Sequence, residues 1–227
     1  MVQRMKVKVI GVGGIGCCLL PCLARFLQYQ LDVEASVTLI DGDAFENRNR
    51  ERQTFSALGN KASVKVAELQ REFPRMYFEA VEEFITEDNV MIYIQNSDVV
   101  FVGVDNFFSR KVISDRAIRL KDVLVISGGN ELTDGNVRFH LRQNNEDITL
   151  PLANKYHPEV MNPRDTGPTI AGCGARQAAD PQIVLMNNLV AAHMLAGFYA
   201  YLQGKLDYDE VYLDLLTGSS RSVKRKK

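Results

Sequence analysis

Three short segments carry residue types and spacings suited to chemistry. The first is Gly11-Val12-Gly13-Gly14-Ile15-Gly16, directly after an apolar run. In such a segment the first glycine allows a tight turn, the next lets the backbone approach a phosphate, and the last lets the following helix pack close to the strand. Amides at the helix start then face the anion. The second is Asp41, 25 residues past Gly16, near the spacing at which an acidic side chain reaches ribose hydroxyls. The third is Val104-Asp105-Asn106, followed by Arg110. A carboxylate at a strand end, such as Asp105, is placed to hold Mg²⁺ on phosphate oxygens, and Asp105 or Asn106 also suits a helix N-cap. Together these segments imply a bound nucleotide.

The loop after Asp41 bears on which nucleotide. Asp41-Gly42-Asp43-Ala44-Phe45-Glu46-Asn47-Arg48-Asn49-Arg50-Glu51-Arg52-Gln53 packs three arginines and Asn49 just past the ribose acid, and Lys61 follows nine residues after Arg52. A dinucleotide pyrophosphate is held largely by backbone amides and needs little positive charge. A nucleoside triphosphate carries more, and in-line attack at its α-phosphorus needs that charge offset by Arg, Lys and a metal. Arg52 and Lys61 are therefore read as functional, and Arg48, Arg50 and Glu51 as a solvated surface. A nicotinamide-dependent oxidoreductase using the same glycine turn is the rival, and it predicts that Arg52 and Lys61 are dispensable.

These residues need a scaffold that brings strand ends together. Strand patterns cover 6–11, 35–41, 76–84, 98–104, 123–127, 135–143 and 210–216, the 135–143 strand being the more exposed. Helical spacing of apolar residues covers 15–29, with Pro21 placed to kink it, and also 60–73, 86–95, 106–120 and 182–203. Asn60 is the expected N-cap of its helix. Strands alternating with such helices, several of them continuously apolar, predict an α/β Rossmann-like fold. Its sheet is mostly parallel with helices on both faces, and the antiparallel strands lie toward the C-terminal part. Ligands then bind beyond the strand ends at Ile10, Ile40 and Val104. One domain is expected over 1–220, with an irregular crossover at 144–180, and residues 221–227 are expected to form a disordered basic tail.

Composition narrows the partners. Five of the 27 basic residues lie at 221–227, which leaves the first 220 residues with 22 basic against 28 acidic. A body of that sign is a poor nucleic-acid binder. No apolar run reaches the length of a membrane-spanning helix, and the N-terminal residues do not read as a signal peptide. The four cysteines, Cys17, Cys18, Cys22 and Cys173, fit neither paired metal-ligand spacing nor a secreted disulfide framework. Reduced thiols in a cytoplasmic protein are expected, with Cys17, Cys18 and Cys22 packing a helix.

The motifs resemble a known family. The order Gly-x-Gly-Gly-x-Gly, Asp-x-Asp-x-Phe-Glu-x-x-Asn-x-x-Arg-Gln, Gly59-Asn60-Lys61-Ala62 and Val-Asp105-Asn-x-x-x-Arg110 is similar to the adenylation domain of the ThiF/MoeB/ubiquitin-activating-enzyme family, over about residues 6–130. The stretch from Tyr156-His157-Pro158-Glu159 through Cys173 to Pro181-Gln182-x-x-x-x-Asn187 resembles the short ThiF-like proteins of bacterial plasmids and mobile elements. The resemblance implies an adenylyltransferase that binds Mg-ATP and the C-terminal Gly-Gly carboxylate of a small ubiquitin-like or sulfur-carrier protein. The carboxylate attacks the α-phosphate, giving an acyl-adenylate and pyrophosphate. Carried over by position, Gly11, Gly13, Gly14 and Gly16 line the phosphate turn. Asp41 takes the ribose, Asp43 belongs to the same site, Asn49, Arg52 and Lys61 face the phosphates, and Asp105 assists the metal.

The chain departs from the family pattern in places. It starts too late for the helix that donates an arginine to a partner subunit's ATP, for which Arg4, Arg48 or Arg50 could substitute. Two CxxC pairs for zinc are missing, so no zinc is expected. Lys61 sits one residue closer to its glycine than usual. Cys173 is a candidate nucleophile with His157 nearby in sequence, and a homodimer is expected through the wide apolar face of Ile183–Phe198. A non-catalytic module that binds ATP and only docks a ubiquitin-like protein is a further alternative.

Overall fold

The computed structural model describes residues 5–31, 34–168 and 183–226. In chain order these form β1 (Met5–Ile10), α1 (Gly14–Tyr29), β2 (Ala35–Ile40), β3 (Ala44–Phe45), β4 (Gly59–Asn60), α2 (Lys61–Glu72), β5 (Tyr77–Val81), α3 (Val90–Tyr93) and β6 (Val99–Val102). The rest are α4 (Phe107–Ala117), β7 (Val123–Asn130), β8 (Asp134–Gln143), β9 (Glu146–Asp147), α5 (Pro158–Met161), α6 (Val184–Leu202), β10 (Glu210–Asp214) and β11 (Ser219–Val223).

The main sheet runs β11-β10-β8-β7-β6-β1-β2-β5, with β9 added beside β8. The β5-β2-β1-β6-β7 half is parallel, and β8, β10 and β11 join antiparallel. This is the α/β architecture expected from the alternation of apolar strands and helices. Strand residues alternate between two cores. Val7, Val9, Val37, Leu39 and Phe101 face α1, α2 and α6, while Ile10, Ile40, Val100, Val102 and Val125 face α3 and α4. Both faces are therefore buried, which explains why these strands read as continuous apolar runs.

The order in which strands are added reverses at β1. The path from β1 goes through α1 to β2 on one side, and the later strand β6 pairs on the other. The crevice between the β1 and β6 ends is where a ligand binds in such a sheet. Pro21 sits inside α1 without ending it. Asn60 caps α2 as expected, its Oδ1 accepting from Ser63 N at 3.1 Å. No helix among the described residues is long and apolar enough to cross a membrane.

Several elements differ from the sequence expectation. The helix at 86–95 shrinks to α3, because Thr86 and Asn89 bond reciprocally in a capping turn first. Strand β8 was expected to be exposed, yet Val137–Leu141 are buried, because α6 covers one face and β10 pairs along its edge. The basic tail is not a disordered end. Arg221–Val223 belong to β11, and Arg225 bonds Glu210 at 3.1 Å and Asp209 at 2.7 Å. Two buried acids hold it.

The packing of α1 against β1 depends on Gly16. A Cβ there meets the Gly11 carbonyl oxygen at 2.3 Å. Gly16→Ala is expected to lower unfolding free energy by about 1–3 kcal/mol, read from urea denaturation. An unchanged midpoint excludes this contact as the reason for the glycine.

Candidate functional site

A cleft of about 1440 Å³ opens over the carboxyl ends of the parallel strands and continues across the projecting ends of β7, β8, β10 and β11. Gly11, Gly13, Gly14, Asp41, Asp43, Asn49, Arg52, Lys61 and Asp105 all line it. Gly16 does not, because it lies beneath the turn as the helix-packing glycine. Cys173 and Arg4 lie outside the described residues, as does Pro181.

The glycine turn is shaped by close approach. Gly11 has φ +86°, and a Cβ there comes within 2.8 Å of the Gly103 carbonyl carbon. The two strand ends thus touch backbone to backbone, which only glycine permits. At Gly14 the neighbour is a side chain, since a Cβ there meets Asn187 Nδ2 at 2.4 Å. Asn187 is fully buried at the start of α6. Its Nδ2 donates to the Arg52 carbonyl at 3.3 Å, and its Oδ1 accepts from Asn130 Nδ2 at 3.0 Å. It therefore joins the glycine turn, the arginine loop and the end of β7.

Asp41 holds the nucleotide end together. Its Oδ2 accepts from Val12 N at 2.7 Å and its Oδ1 from Asp43 N at 2.8 Å. Burial pushes its carboxyl above the ordinary value, opposed by Lys61 and by these two amides. Each oxygen keeps a free lone-pair direction for a donor such as a ribose hydroxyl. The Lys61 ammonium sits 3.1 Å from Asp43 Oδ2, and its backbone N–H bonds the Asp43 carbonyl at 2.9 Å. Lys61 thus enters the cleft already paired with an acid.

Arg52 is different. Its Nε is buried and, among the described residues, has no hydrogen-bond partner. Beside it, Gln53 Oε1 is in the same condition. Asn49 caps its own loop, its Oδ1 accepting from Glu46 N at 3.1 Å. Arg48 and Arg50 stay outside the cleft, bonded to Glu46 at 2.6 Å and to Asn47 at 2.9 Å. Unmade polar bonds buried in a native fold call for a partner, and the partner that a guanidinium lacks is an anion.

Across the β1–β6 crevice, Asp105 is exposed at the α4 entrance. Asn106 is the N-cap, accepting from Ser109 N at 2.8 Å. The Asp165 carboxylate takes the Phe107 and Phe108 amides at 3.0 and 2.9 Å. Arg110 is buried, and its guanidinium donates to Ser127 Oγ and to the Val104 and Gly128 carbonyls at 2.6–2.8 Å. Burial lowers its pKa to about 10. It braces the β6 and β7 ends at the cleft wall. Among the described residues no group of three His, Cys, Asp or Glu side chains is placed to hold a metal. Asp105 fits Mg²⁺ only as one carboxylate beside phosphate oxygens and water, the usual way that ion is held.

The far arm of the cleft carries a second polar network. His157 is buried, with Nδ1 3.1 Å from Glu159 and Nε2 2.7 Å from Glu210. Glu159 also meets Arg138 Nη2 at 3.2 Å. His157 is therefore committed to two carboxylates. His140 lies at 2.8 Å from Asp147 on the sheet. Of the α1 thiols Cys17 is buried, Cys18 is half-buried against the core and Cys22 is exposed.

Arg138, Asn187 and Asp165 were not singled out as site residues in the sequence. Asn187 was legible, as an amide on the buried stripe of an otherwise apolar helix. Arg138 was hidden by its place on a strand whose alternation suggested exposure.

Glu210 gives the network its pH dependence. Burial raises its carboxyl, but bonds from His157 and Arg225 outweigh this and bring it from 4.5 to about 2. A depressed carboxyl contributes stability that is complete above pH 4.5 and lost as pH falls toward 2. Glu210→Gln is expected to be less stable at pH 6 by about 2 kcal/mol and to lose less than the wild type between pH 5 and pH 2. Parallel stability curves for the two proteins contradict the assignment.

The sequence profile of the ThiF family matches residues 1–226. The molybdopterin-synthase adenylyltransferase of Escherichia coli is 24% identical over 226 residues, covering 96% of this chain and 82% of that protein. The sulfur carrier protein adenylyltransferase of Thermus thermophilus is 31% identical over 61% of this chain and 50% of its own. The adenylyltransferase and sulfurtransferase uba4 of Pyricularia oryzae is 29% identical over 60% of this chain, which spans 27% of that protein. The crystal structure of E. coli MccB with ATP has the same fold, with TM-score 0.73 at 17% identity over 98% of this chain and 64% of that one.

Proposed function

The chain belongs to the ThiF family, and from that premise we propose that it is an ATP-dependent adenylyltransferase. Its acceptor is the C-terminal glycine carboxylate of a ubiquitin-like or sulfur-carrier protein, the kind of partner named for the T. thermophilus relative. The observation that carries the reading is Arg52, a half-buried cation on the cleft wall whose Nε is buried and, among the described residues, bonded to nothing. A nicotinamide dinucleotide leaves that need unmet, whereas a triphosphate fills it.

The residues divide the work. Val12 and Asp41 hold the turn against the β2 end, so amides at the start of α1 meet the phosphates without rearrangement. Asp41 faces the ribose. Arg52 and Asn49 lie toward the phosphates with Lys61, whose bond to Asp43 exchanges for a phosphate oxygen. Asp105 stands at the metal position, where Mg²⁺ supplies further charge neutralisation. An acceptor carboxylate oxygen bonds to the α-phosphorus as the α–β bridging bond breaks, and pyrophosphate leaves with that electron pair. No proton moves at this step, so the protein's task is alignment and charge stabilisation. We place the homodimer contact on α6, where Val184, Leu185 and Tyr199 remain exposed beside the buried stripe.

The test is ATP–pyrophosphate exchange with Gly-Gly-terminated carrier proteins. Arg52→Ala is expected to lower exchange about 10²-fold, and Lys61→Ala by a smaller factor because its charge is already shared with Asp43. Exchange unchanged in both variants overturns the phosphate assignment. ATP binding without any exchange identifies a docking module, and preferential NAD binding identifies an oxidoreductase.

A further inference from the structure

The cleft is longer than a nucleotide needs. Beyond β6 the ends of β7, β8 and β10 project past the parallel strands, and their registers align side chains in rows on one face. Ser127 pairs with Arg138, and Arg138 with Glu210. One step further out, Gly129 pairs with Asn136, and Asn136 with Tyr212. Arg138 is 8% exposed and lines the cleft. Its Nη2 meets Glu159 at 3.2 Å, but Nε and Nη1 are buried and, among the described residues, bond nothing. Three of the five guanidinium donors are therefore unmade. Asn136 Oδ1, two residues back on the same face, is also buried and, among the described residues, unpartnered.

Gly129 lies between Arg110 and Asn136 on the cleft floor. A Cβ there comes within 3.2 Å of Arg110 Nη2 and 3.6 Å of Asn136 Oδ1. A side chain at this position crowds both groups, so the bare backbone of Gly129 forms part of the cleft floor. The arrangement has an orientation. Arg138 lies two strands from β6, on the side away from the glycine turn, and neighbouring strands are about 4.8 Å apart. On the adenylyltransferase reading, with the phosphates over the β1–β6 crevice, this arm of the cleft is left for the group that attacks the α-phosphorus. Arg138 is close enough to Arg110 to depress that residue's proton affinity, and Arg110 in turn feels Asp105.

We propose that Arg138 is the receptor for the acceptor's terminal carboxylate. On this reading the acceptor chain enters along the β7–β8 floor over Gly129, Asn136 Oδ1 takes a backbone N–H from it, and Arg138 takes its carboxylate and presents it toward the α-phosphorus. Glu159, held by His157, keeps the guanidinium turned inward and partly neutralised until the carboxylate arrives. The selected feature is a free carboxylate on a chain end with little side chain. This proposal rests on the adenylyltransferase reading for its direction, but it concerns binding and needs no turnover.

The experiment is a calorimetric titration of the protein, loaded with a non-hydrolysable ATP analogue, with two synthetic decapeptides ending in Gly-Gly, one a free carboxylate and the other a carboxamide. The wild type is expected to bind the carboxylate form about tenfold tighter or more, the size of a charge-assisted bond. Arg138→Gln is expected to remove the difference while the analogue still binds. Glu159→Gln, which frees the third nitrogen, is expected to widen it. Equal binding of the two peptides by the wild type, including no binding of either, overturns the proposal, as does a preference that survives in Arg138→Gln. Should that variant lose its fold, a preference unchanged or reduced in Glu159→Gln overturns it instead. Failure of the wild type to bind the ATP analogue marks the nucleotide reading as the one at fault.

Discussion

The site depends on two strand ends meeting without side chains between them. Gly11 at the end of β1 lies so close to Gly103 after β6 that neither backbone can carry a larger residue without moving. The contact leaves the turn without packing of its own, and Asp41 supplies what is missing. By taking Val12 N–H and Asp43 N–H on its two oxygens, it ties the turn to the β2 end and to the start of the charged loop. A carboxylate buried this deeply is costly unless it is hydrogen-bonded. The bonds that make its burial tolerable are the same ones that fix the amides for a ligand, so local stability and ligand geometry share one interaction.

From there the charged loop is positioned by residues far away in the chain. Asn187, on α6, reaches the Arg52 carbonyl and packs against Gly14. The helix that covers one face of the antiparallel strands therefore also sets where the arginine loop lies. This coupling links the two halves of the molecule. The half that accommodates a nucleotide and the half that projects beyond it meet at one buried amide, and its polar atoms are all accounted for by neighbours on both sides. Among the described residues, five of the eight buried polar atoms without partners belong to the cleft wall, at Arg52, Gln53, Asn136 and Arg138, and the others to Gln28, Asp98 and His140. In a fold that satisfies its other site residues this closely, such a concentration describes the shape of what is to be bound.

Much of this was legible in the sequence because it rests on local rules. The apolar strands, the glycine turn, the Asn60 cap and the position of Asp41 follow from neighbours a few residues apart. Strand β11 was missed because Ser219–Val223 carries almost no apolar pattern, and its pairing with β10 is decided by hydrogen bonds that do not appear in composition. Arg138 was missed for the opposite reason. It sits on a strand whose alternation suggested one wet face, but α5 and the chain around it cover that face. His157, read as an assistant to Cys173, has its two nitrogens committed to Glu159 and Glu210, a commitment set by residues 2 and 53 positions away.

The basic tail illustrates how a charge run acquires order. Read alone, 221–227 is a solvated end. In the fold, Glu210 brings a carboxylate into the sheet and requires cations around it. Arg225 answers by bonding Glu210 and stacking on Tyr156 and Tyr212. His157 completes the shell from the other side and passes the arrangement on through Glu159 to Arg138. Each member is tolerable only because the next is present, since an unpaired buried charge is far more costly than a paired one. The tail, the stretch from Tyr156 to Glu159 and the cleft wall are therefore held by one network. The guanidinium at the end of this series keeps its open donors because the carboxylates behind it are already occupied by other cations.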